Sequence, residues 1–181
     1  MANAHINTAL NSFFNASKYA VVGASKDPSK FGNKVSVCAR LLPRHHDKSS
    51  EPPFHPFDAA IQVLKWYQTH SFDITPIHPK EAEIESLATQ PDVASFLDKV
   101  GAPADKVAIS VVTPPKISLV VVQKGLQDQG VATFWLQPGA EDADLVSWVK
   151  SQPESIQDRV IYGGPCILVS GRQLAADKGK L

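Results

Sequence analysis

The stretch that decides the fold is residues 19–33, Y-A-V-V-G-A-S-K-D-P-S-K-F-G-N. Its first four residues form a continuous apolar run, which is typical of a central strand covered on both faces. Gly23 permits a sharp turn and a close approach of a ligand to the backbone, and Gly32 with Asn33 precedes a new helical pattern. A helix that starts after such a loop presents backbone N–H groups and a positive dipole end. We therefore predict that this junction suits a phosphate.

The junction lacks the two standard nucleotide fingerprints. A dinucleotide fold uses G-x-G-x-x-G with an acidic residue about 20 positions later. Here Ala24 and Ser25 follow Gly23, and the next glycine is Gly32. The P-loop pattern G-x-x-x-x-G-K-[ST] fits at neither glycine. On this loop alone, an ordinary strand-to-helix turn that contains a glycine stays open as an alternative.

Composition limits the classes of function. With 181 residues, of which 43% are hydrophobic, the chain fits one domain with a substantial core and has no membrane-spanning stretch. Eighteen basic residues balance eighteen acidic ones, so no overall field favours nucleic acid or an anionic membrane. Two cysteines without a disulfide framework, Cys38 and Cys166, predict reduced thiols. Together with a start that lacks the features of a secretory signal or a transit peptide, they predict a cytoplasmic protein.

Apolar patterns predict five strands that alternate with helices. The strands are expected at residues 19–22, 72–77, 106–112, 133–137 and 159–162. The helices are expected at residues 6–14, 34–42, 57–69, 81–87, 91–100 and 117–129, with an acidic helix start at 141–144. Because parallel strands need right-handed crossovers, this order predicts an α/β fold with a doubly wound parallel sheet in a single domain, 1–181, whose core is about 19–169.

A proline-rich polar stretch at about 43–57 is predicted to be a loop insertion. It contains His45, His46 and His55, which raises the hypothesis of a metal site. Zinc sites pair their ligands at short fixed spacings and add cysteine or carboxylate ligands, and neither feature is present. We therefore favour solvated loop histidines and predict no metal.

Ligands of doubly wound sheets bind at the carboxyl ends of the strands. Those ends carry Gly23, the pair Pro79 and Lys80, the pair Thr113 and Pro114, and the run Gln137, Pro138 and Gly139. Thr113 is also expected to cap the helix that follows it. After the second strand, where an NAD enzyme places an acidic residue, this chain has His78 and Lys80, and cations there suit a phosphorylated ribose. The alternative is an exposed lysine at the start of a helix.

Five motifs in order, V-V-G-A-S-x-D-P-S-K-F-G-N-K-V, P-I-H-P-K-E, S-V-V-T-P-P, W-L-Q-P-G-A and G-G-P-C-I, resemble those of the small single-domain CoA-binding proteins. That family has a Rossmann-like fold similar to the CoA-binding domain of the succinyl-CoA ligase alpha subunit. The resemblance covers residues 19–169. The stretch at about 43–57 departs from it, because in the family the helix after the first loop passes directly to the second strand.

The resemblance implies a site that binds CoA or an acyl-CoA. Its first loop would contact the CoA phosphates through Gly23, Ala24, Ser25, Lys26, Asp27 and Pro28, and the predicted site includes Phe31, Gly32 and Asn33 of the same motif. Lys80, with His78 and Pro79 beside it, would contact the nucleotide end. Leu136, Gln137 and Pro138 would contact the pantetheine. The phosphorylated histidine of the ligase lies in a further domain that this chain lacks, so we expect a binding protein with no catalytic residues.

Two other classes stay open as alternatives. A nicotinamide oxidoreductase needs a hydride-handling site and in most cases a substrate domain, for which the chain has little room. A thiol enzyme would use Cys166 as its nucleophile, although its apolar neighbours favour a buried structural thiol. A weaker hypothesis is that Cys166 lies near the crevice and exchanges with the CoA thiol. The sequence leaves a homo-oligomer open.

Overall fold

A computed structural model of the chain describes residues 2–25 and 58–181. The helices and strands are numbered in chain order within those residues. The helices are α1 (Ala2–Phe14), α2 (Asp58–Thr69), α3 (Val93–Val100), α4 (Pro115–Gln127), α5 (Ala143–Ser151), α6 (Glu154–Gln157) and α7 (Ile167–Asp177). The strands are β1 (Lys18–Val22), β2 (Ile74–Ile77), β3 (Glu83–Ile84), β4 (Leu87–Ala88), β5 (Val107–Val111), β6 (Thr133–Leu136) and β7 (Val160–Ile161). The predicted helix at 34–42 and the predicted insertion at 43–57 lie outside the described residues.

Five strands form one parallel sheet in the order β2-β1-β5-β6-β7. The carboxyl ends are in register, since Val22 pairs with Ile77 on one side and with Val111 on the other. Every residue of β5 and β6 is buried, as expected for strands covered on both faces. The predicted doubly wound parallel sheet of five strands is therefore confirmed.

Helices cover both faces of the sheet because successive strand residues point to opposite sides. In β1, Tyr19 and Val21 pack with α1, α2 and α7, where Phe13 meets Trp135 edge to face at a centroid distance of 5.1 Å. Ala20 and the other alternate strand residues pack with α3, α4 and α5. The core is thus two apolar layers separated by the sheet.

Residues 83–88 form a hairpin, so the prediction of a helix at 81–87 was wrong. β3 and β4 pair antiparallel, and Glu85 and Ser86 connect them with φ angles of 48° and 62°. Positive φ at both central residues is the geometry of a two-residue hairpin turn. Thr89 and Gln90 then donate backbone N–H groups to the carbonyls of Ala82 and Pro76, which holds the hairpin against β2.

The residues after the predicted core, beyond about 169, were assigned no element, but α7 continues there to Asp177 and buries Ile167, Gly171 and Ala175. One further expectation needs correction. Thr113 was expected to cap α4, but the helix begins after Pro114 without a side-chain cap. The Thr113 hydroxyl pairs instead with the Ser118 hydroxyl at 2.8 Å.

Candidate functional site

A cavity of about 430 Å³ lies at the carboxyl end of the sheet. It opens where the chain leaves β1 towards β2 on one side and leaves β5 towards β6 on the other. Such a switch point is where doubly wound sheets bind their ligands. The cavity is lined by Val22, Gly23, Ile77, His78, Pro79, Pro91, Asp92, Val93, Thr113, Pro114, Ile117 and Val121.

The loop after β1 forms one wall of the cavity. Gly23 has a φ of +99°, and its N–H donates to the Ile77 carbonyl at 3.3 Å. A Cβ at this position would lie 2.6 Å from the Thr113 Cγ2 atom, which is closer than van der Waals contact. Glycine is therefore required both for the backbone angle and for the close approach of β5. Ala24 and Ser25 follow and are buried.

The turn after β2 forms a second wall. The His78 N–H donates to the Gln90 carbonyl at 2.9 Å, which anchors the start of the turn. The His78 Nδ1 atom accepts the N–H groups of Glu81 at 2.9 Å and Lys80 at 3.2 Å. His78 is 8% exposed and lines the cavity, whereas Lys80 is exposed and does not. The imidazole is thus fixed by the turn that presents Lys80.

The starts of α3 and α4 complete the cavity. Asp92 caps α3 by accepting the Ser95 N–H at 2.8 Å, and this backbone hydrogen bond is the main cause that holds the pKa of Asp92 below its ordinary value. α4 begins after Pro114. Ile117 and Val121, four residues apart on α4, present apolar surface to the cavity. Two helix N-termini and an apolar wall meet here, which suits a ligand with a flat apolar part and a nearby anion.

The ends of β6 and β7 are joined by hydrogen bonds. The Gln137 side chain is 2% exposed, and its Oε1 atom accepts the Ile167 N–H at 3.0 Å. The Trp135 Nε1–H donates to the Pro165 carbonyl at 2.8 Å. The Glu141 carboxylate accepts the Gly163 N–H at 2.9 and 3.1 Å. Burial raises the pKa of Glu141, and the hydrogen bond from Gly163 partly opposes that rise.

The structure brings part of the predicted site together. Five predicted residues line the cavity, namely Gly23, His78, Pro79, Thr113 and Pro114. Ala24 and Ser25 continue the loop beside it, and Lys80 lies exposed in the turn after β2. Leu136 and Gln137 are buried at the end of β6, and Pro138 and Gly139 are partly exposed after it. The remaining predicted residues lie outside the described residues: Lys26, Asp27, Pro28, Phe31, Gly32 and Asn33.

Sequence reasoning missed the helical walls of the cavity. Asp92 and Val93 were assigned to a helix without a role, although Q-P-D-V is a recognisable helix start. Ile117 and Val121 fit the helical pattern of α4 and gave no sign that they face a cavity. Their position in the cavity wall depends on the packing of α4 beside the end of β5.

Cys166 does not carry the reduced thiol that the sequence predicted. Its side chain is buried and takes part in a disulfide, so no free thiolate is present at this position. Cys38, the other cysteine of the chain, lies outside the described residues. Within residues 2–25 and 58–181, no three His, Cys, Asp or Glu side chains are grouped so that they could hold a metal. His45, His46 and His55 lie outside this part of the chain.

No helix in the described part of the chain combines the length and apolar character needed to cross a membrane.

Comparison with known proteins identifies a related family. The family model described as a CoA binding domain matches residues 55–172. The comparison with curated proteins found no match. The matched range begins after β1, so it includes the ends of β2, β5 and β6 but leaves out the first loop.

Several solved structures share the fold. A conserved hypothetical protein from Pyrococcus furiosus is 27% identical, with 84% of this chain and 97% of that chain covered and a TM-score of 0.53. A hypothetical protein from Pyrococcus horikoshii OT3 is 16% identical, with 96% and 92% covered and a TM-score of 0.56. A crystallised protein redesigned for binding is 15% identical, with 92% and 90% covered and a TM-score of 0.58.

Proposed function

The chain belongs to the CoA-binding domain family, and from that premise we propose that it binds CoA or an acyl-CoA at the carboxyl end of its sheet. The observation that carries the proposal is the cavity at the switch point between β1 and β5. Its volume of about 430 Å³ is in the ordinary range for ligand pockets, ~300–1,000 Å³. It fits the adenosine part of CoA, and the rest of the ligand would extend out of the cavity.

The walls of the cavity support a ligand orientation in which the adenosine part of CoA lies inside it. Pro79, Pro91 and Ile117 offer apolar surface for a flat ring, and the turn after β2 places Lys80 next to this wall. The Lys80 ammonium forms no ion pair with any described residue, so it is available for a phosphate on the ribose. The loop that begins at Gly23 would face the diphosphate. Leu136, Gln137 and Pro138 would lie along the pantetheine.

A second candidate, an NAD(P)-dependent oxidoreductase, has less support. The loop after β1 has neither the second nor the third glycine of the dinucleotide fingerprint at the standard spacing. A Cys166-dependent thiol enzyme needs an accessible thiolate, and Cys166 is buried in a disulfide. We propose a binding protein that has no ligase activity of its own and acts in the cytoplasm.

Calorimetric titration with CoA and NAD⁺ tests the proposal. We expect tighter binding of CoA, because the turn after β2 presents Lys80 where an NAD site has an acidic ribose contact. Equal or tighter binding of NAD⁺ would refute the CoA assignment.

A matched pair of variants tests the location. Ile117 and Val169 are both exposed apolar residues, at 52% and 46%, but only Ile117 lines the cavity. Ile117→Asp should weaken CoA binding at least tenfold, the effect of a lost apolar contact and a carboxylate placed near a phosphate. Val169→Asp should leave the affinity unchanged. Equal effects of the two variants would place the ligand elsewhere.

A further inference from the structure

Glu81 lies in the turn that connects β2 to the β3–β4 hairpin, and its main chain is fixed at both ends. Its N–H donates to the His78 Nδ1 atom at 2.9 Å, and its carbonyl accepts the Thr89 hydroxyl. The next residue, Ala82, accepts the Thr89 N–H at 3.0 Å. The backbone of the turn therefore holds the Glu81 side chain in a defined direction.

That direction is towards the loop after β1. The Glu81 Oε1 atom accepts the hydroxyl of Ser25, which is 56 residues earlier in the chain. Ser25 is buried, and the Glu81 side chain is 18% exposed. Hydrogen bonds to a charged, partly desolvated acceptor are stronger than those between neutral groups. This contact therefore connects the ends of two neighbouring strands, β1 and β2, through side chains.

His78 extends the connection to the cavity. Because its Nδ1 atom accepts two backbone N–H groups, the ring proton is on Nε2. The Nε2 atom lies 3.7 Å from the Glu81 Oε1 atom, close enough for an electrostatic contact. The imidazole also lines the cavity. A continuous series of polar contacts thus runs from the cavity wall through the Glu81 carboxylate to Ser25.

A carboxylate at this place is unexpected beside an anionic ligand. Like charges a few ångströms apart repel, so Glu81 would weaken phosphate binding if it acted through charge alone. Its hydrogen bond to Ser25 offers a compensating effect, since a fixed loop loses less conformational entropy when a ligand binds. The Ser25 hydroxyl donates its proton to Glu81 and therefore does not donate it to a phosphate.

We propose that Glu81 is a positioning residue of the CoA site: its carboxylate holds the loop at Gly23, Ala24 and Ser25 in the geometry that binds the ligand. This inference rests on the proposed binding of CoA. Glu81 touches the loop and the imidazole, and it acts on the ligand through them. The site therefore depends on a residue that does not line the cavity.

Four variants and a control test the inference by CoA titration. Glu81→Ala should weaken CoA binding about tenfold, the loss typical of one hydrogen bond to a charged group. Glu81→Gln should retain most of the CoA affinity of the unmodified protein, because the amide oxygen still accepts the Ser25 hydroxyl. Ser25→Ala should weaken binding similarly, and the double variant with Glu81→Ala should be no weaker than either single variant. Glu83→Ala removes an exposed carboxylate two residues away and should have no effect.

Hydrogen exchange supplies a readout that needs no ligand. In Glu81→Ala, the N–H groups of Ala24 and Ser25 should exchange faster than in the unmodified protein, whereas Glu81→Gln should retain most of their protection. If the unmodified protein fails to bind CoA but the exchange result holds, the proposed function falls and the role of Glu81 in the loop stands.

Three outcomes would overturn the inference. The first is unchanged exchange of the loop in Glu81→Ala. The second is additive loss of affinity in the double variant, which would show that Glu81 and Ser25 act independently. The third is tighter CoA binding in both Glu81→Ala and Glu81→Gln, which would show that the carboxylate acts only as a repulsive charge.

Discussion

The two halves of the carboxyl edge of the sheet differ in how their loops are held. At the ends of β1, β2 and β5, the loops surround a cavity, and side chains such as Ser25 and Glu81 make contacts from one loop to the next. At the ends of β6 and β7, side chains such as Gln137 and Glu141 bind backbone N–H groups directly. We refer to these as the open half and the closed half.

The difference shows how a parallel sheet separates binding from stability. In the closed half, Glu141 accepts the N–H of Gly163 after β7, and Gln137 accepts the N–H of Ile167 at the start of α7, which fixes α7 against the sheet. In the open half, the side chains of Ile117 and Lys80 hold no other element in place within the described part of the chain. Apart from Gly23, substitutions in the open half should therefore mainly change the affinity for CoA, whereas removal of the Gln137 or Glu141 acceptor should mainly lower stability.

Gly23 should show the largest effect on stability. Both Gly23 and Gly163 have positive φ, at +99° and +76°, but only Gly23 has close neighbours. Gly163→Ala should lower the free energy of unfolding by about 1 kcal/mol, the cost of the backbone angle alone. Gly23→Ala should lower it by about 3 kcal/mol, because its Cβ also meets Thr113.

Urea denaturation of the two glycine variants measures this difference. Trp135, which is buried in the sheet, provides the fluorescence signal. Equal losses for the two variants would mean that Thr113 can move away, and the contact between the ends of β1 and β5 would then be less tight than the structure has it.

Lys80→Ala should change affinity and leave stability intact. Lys80 is exposed, so its removal should shift the free energy of unfolding by less than about 0.5 kcal/mol. It should weaken CoA binding by about 1–2 kcal/mol, the value of one charge-assisted phosphate contact, and hardly affect dephospho-CoA, which lacks the 3′-phosphate. Calorimetry with both ligands measures the difference.

Lys150→Ala is the matched control for Lys80. It removes an exposed lysine from the last turn of α5, away from both halves of the carboxyl edge, and should change neither affinity nor its dependence on the 3′-phosphate. Equal losses of CoA and dephospho-CoA binding in Lys80→Ala would place this lysine at another part of the ligand.

The sequence predicts the open half only in outline. Apolar runs predict the parallel strands, and a parallel sheet brings Gly23, His78 and Thr113 to one edge without further information. The contact of Ser25 with Glu81 spans 56 residues and depends on the direction of a turn. No local pattern contains that direction, because it is set by the hydrogen bonds of Thr89 and Gln90.

The errors in the closed half and in the hairpin have different causes. α7 was predictable, since Ile167, Gly171 and Ala175 recur every four residues, but no helix was assigned to the residues that follow the G-G-P-C motif. The hairpin at 83–88 was not predictable, because its residues favour a helix and tertiary contacts with β2 override that preference. The use of Gln137 as an acceptor for Ile167 also required the structure.

The smallest expected effect is the pH dependence that Glu141 gives to the closed half. Burial raises the pKa of this carboxyl above its value in the unfolded chain, so the folded state binds the proton more tightly. The stability that Glu141 contributes is therefore fully present at pH below the unfolded pKa of 4.5 and is lost as pH rises through the folded pKa.

The Glu141 side chain is partly exposed, so solvent reduces the effect. Relative to Glu141→Gln, the unmodified protein should lose free energy of unfolding in urea titrations as the pH rises above 4.5. Glu141→Ala should be less stable than Glu141→Gln at every pH, because it also loses the acceptor of the Gly163 N–H. If the unmodified protein instead gains free energy of unfolding relative to Glu141→Gln as the pH rises, the hydrogen bond to Gly163 outweighs burial. The charge of Glu141 would then stabilise the closed half.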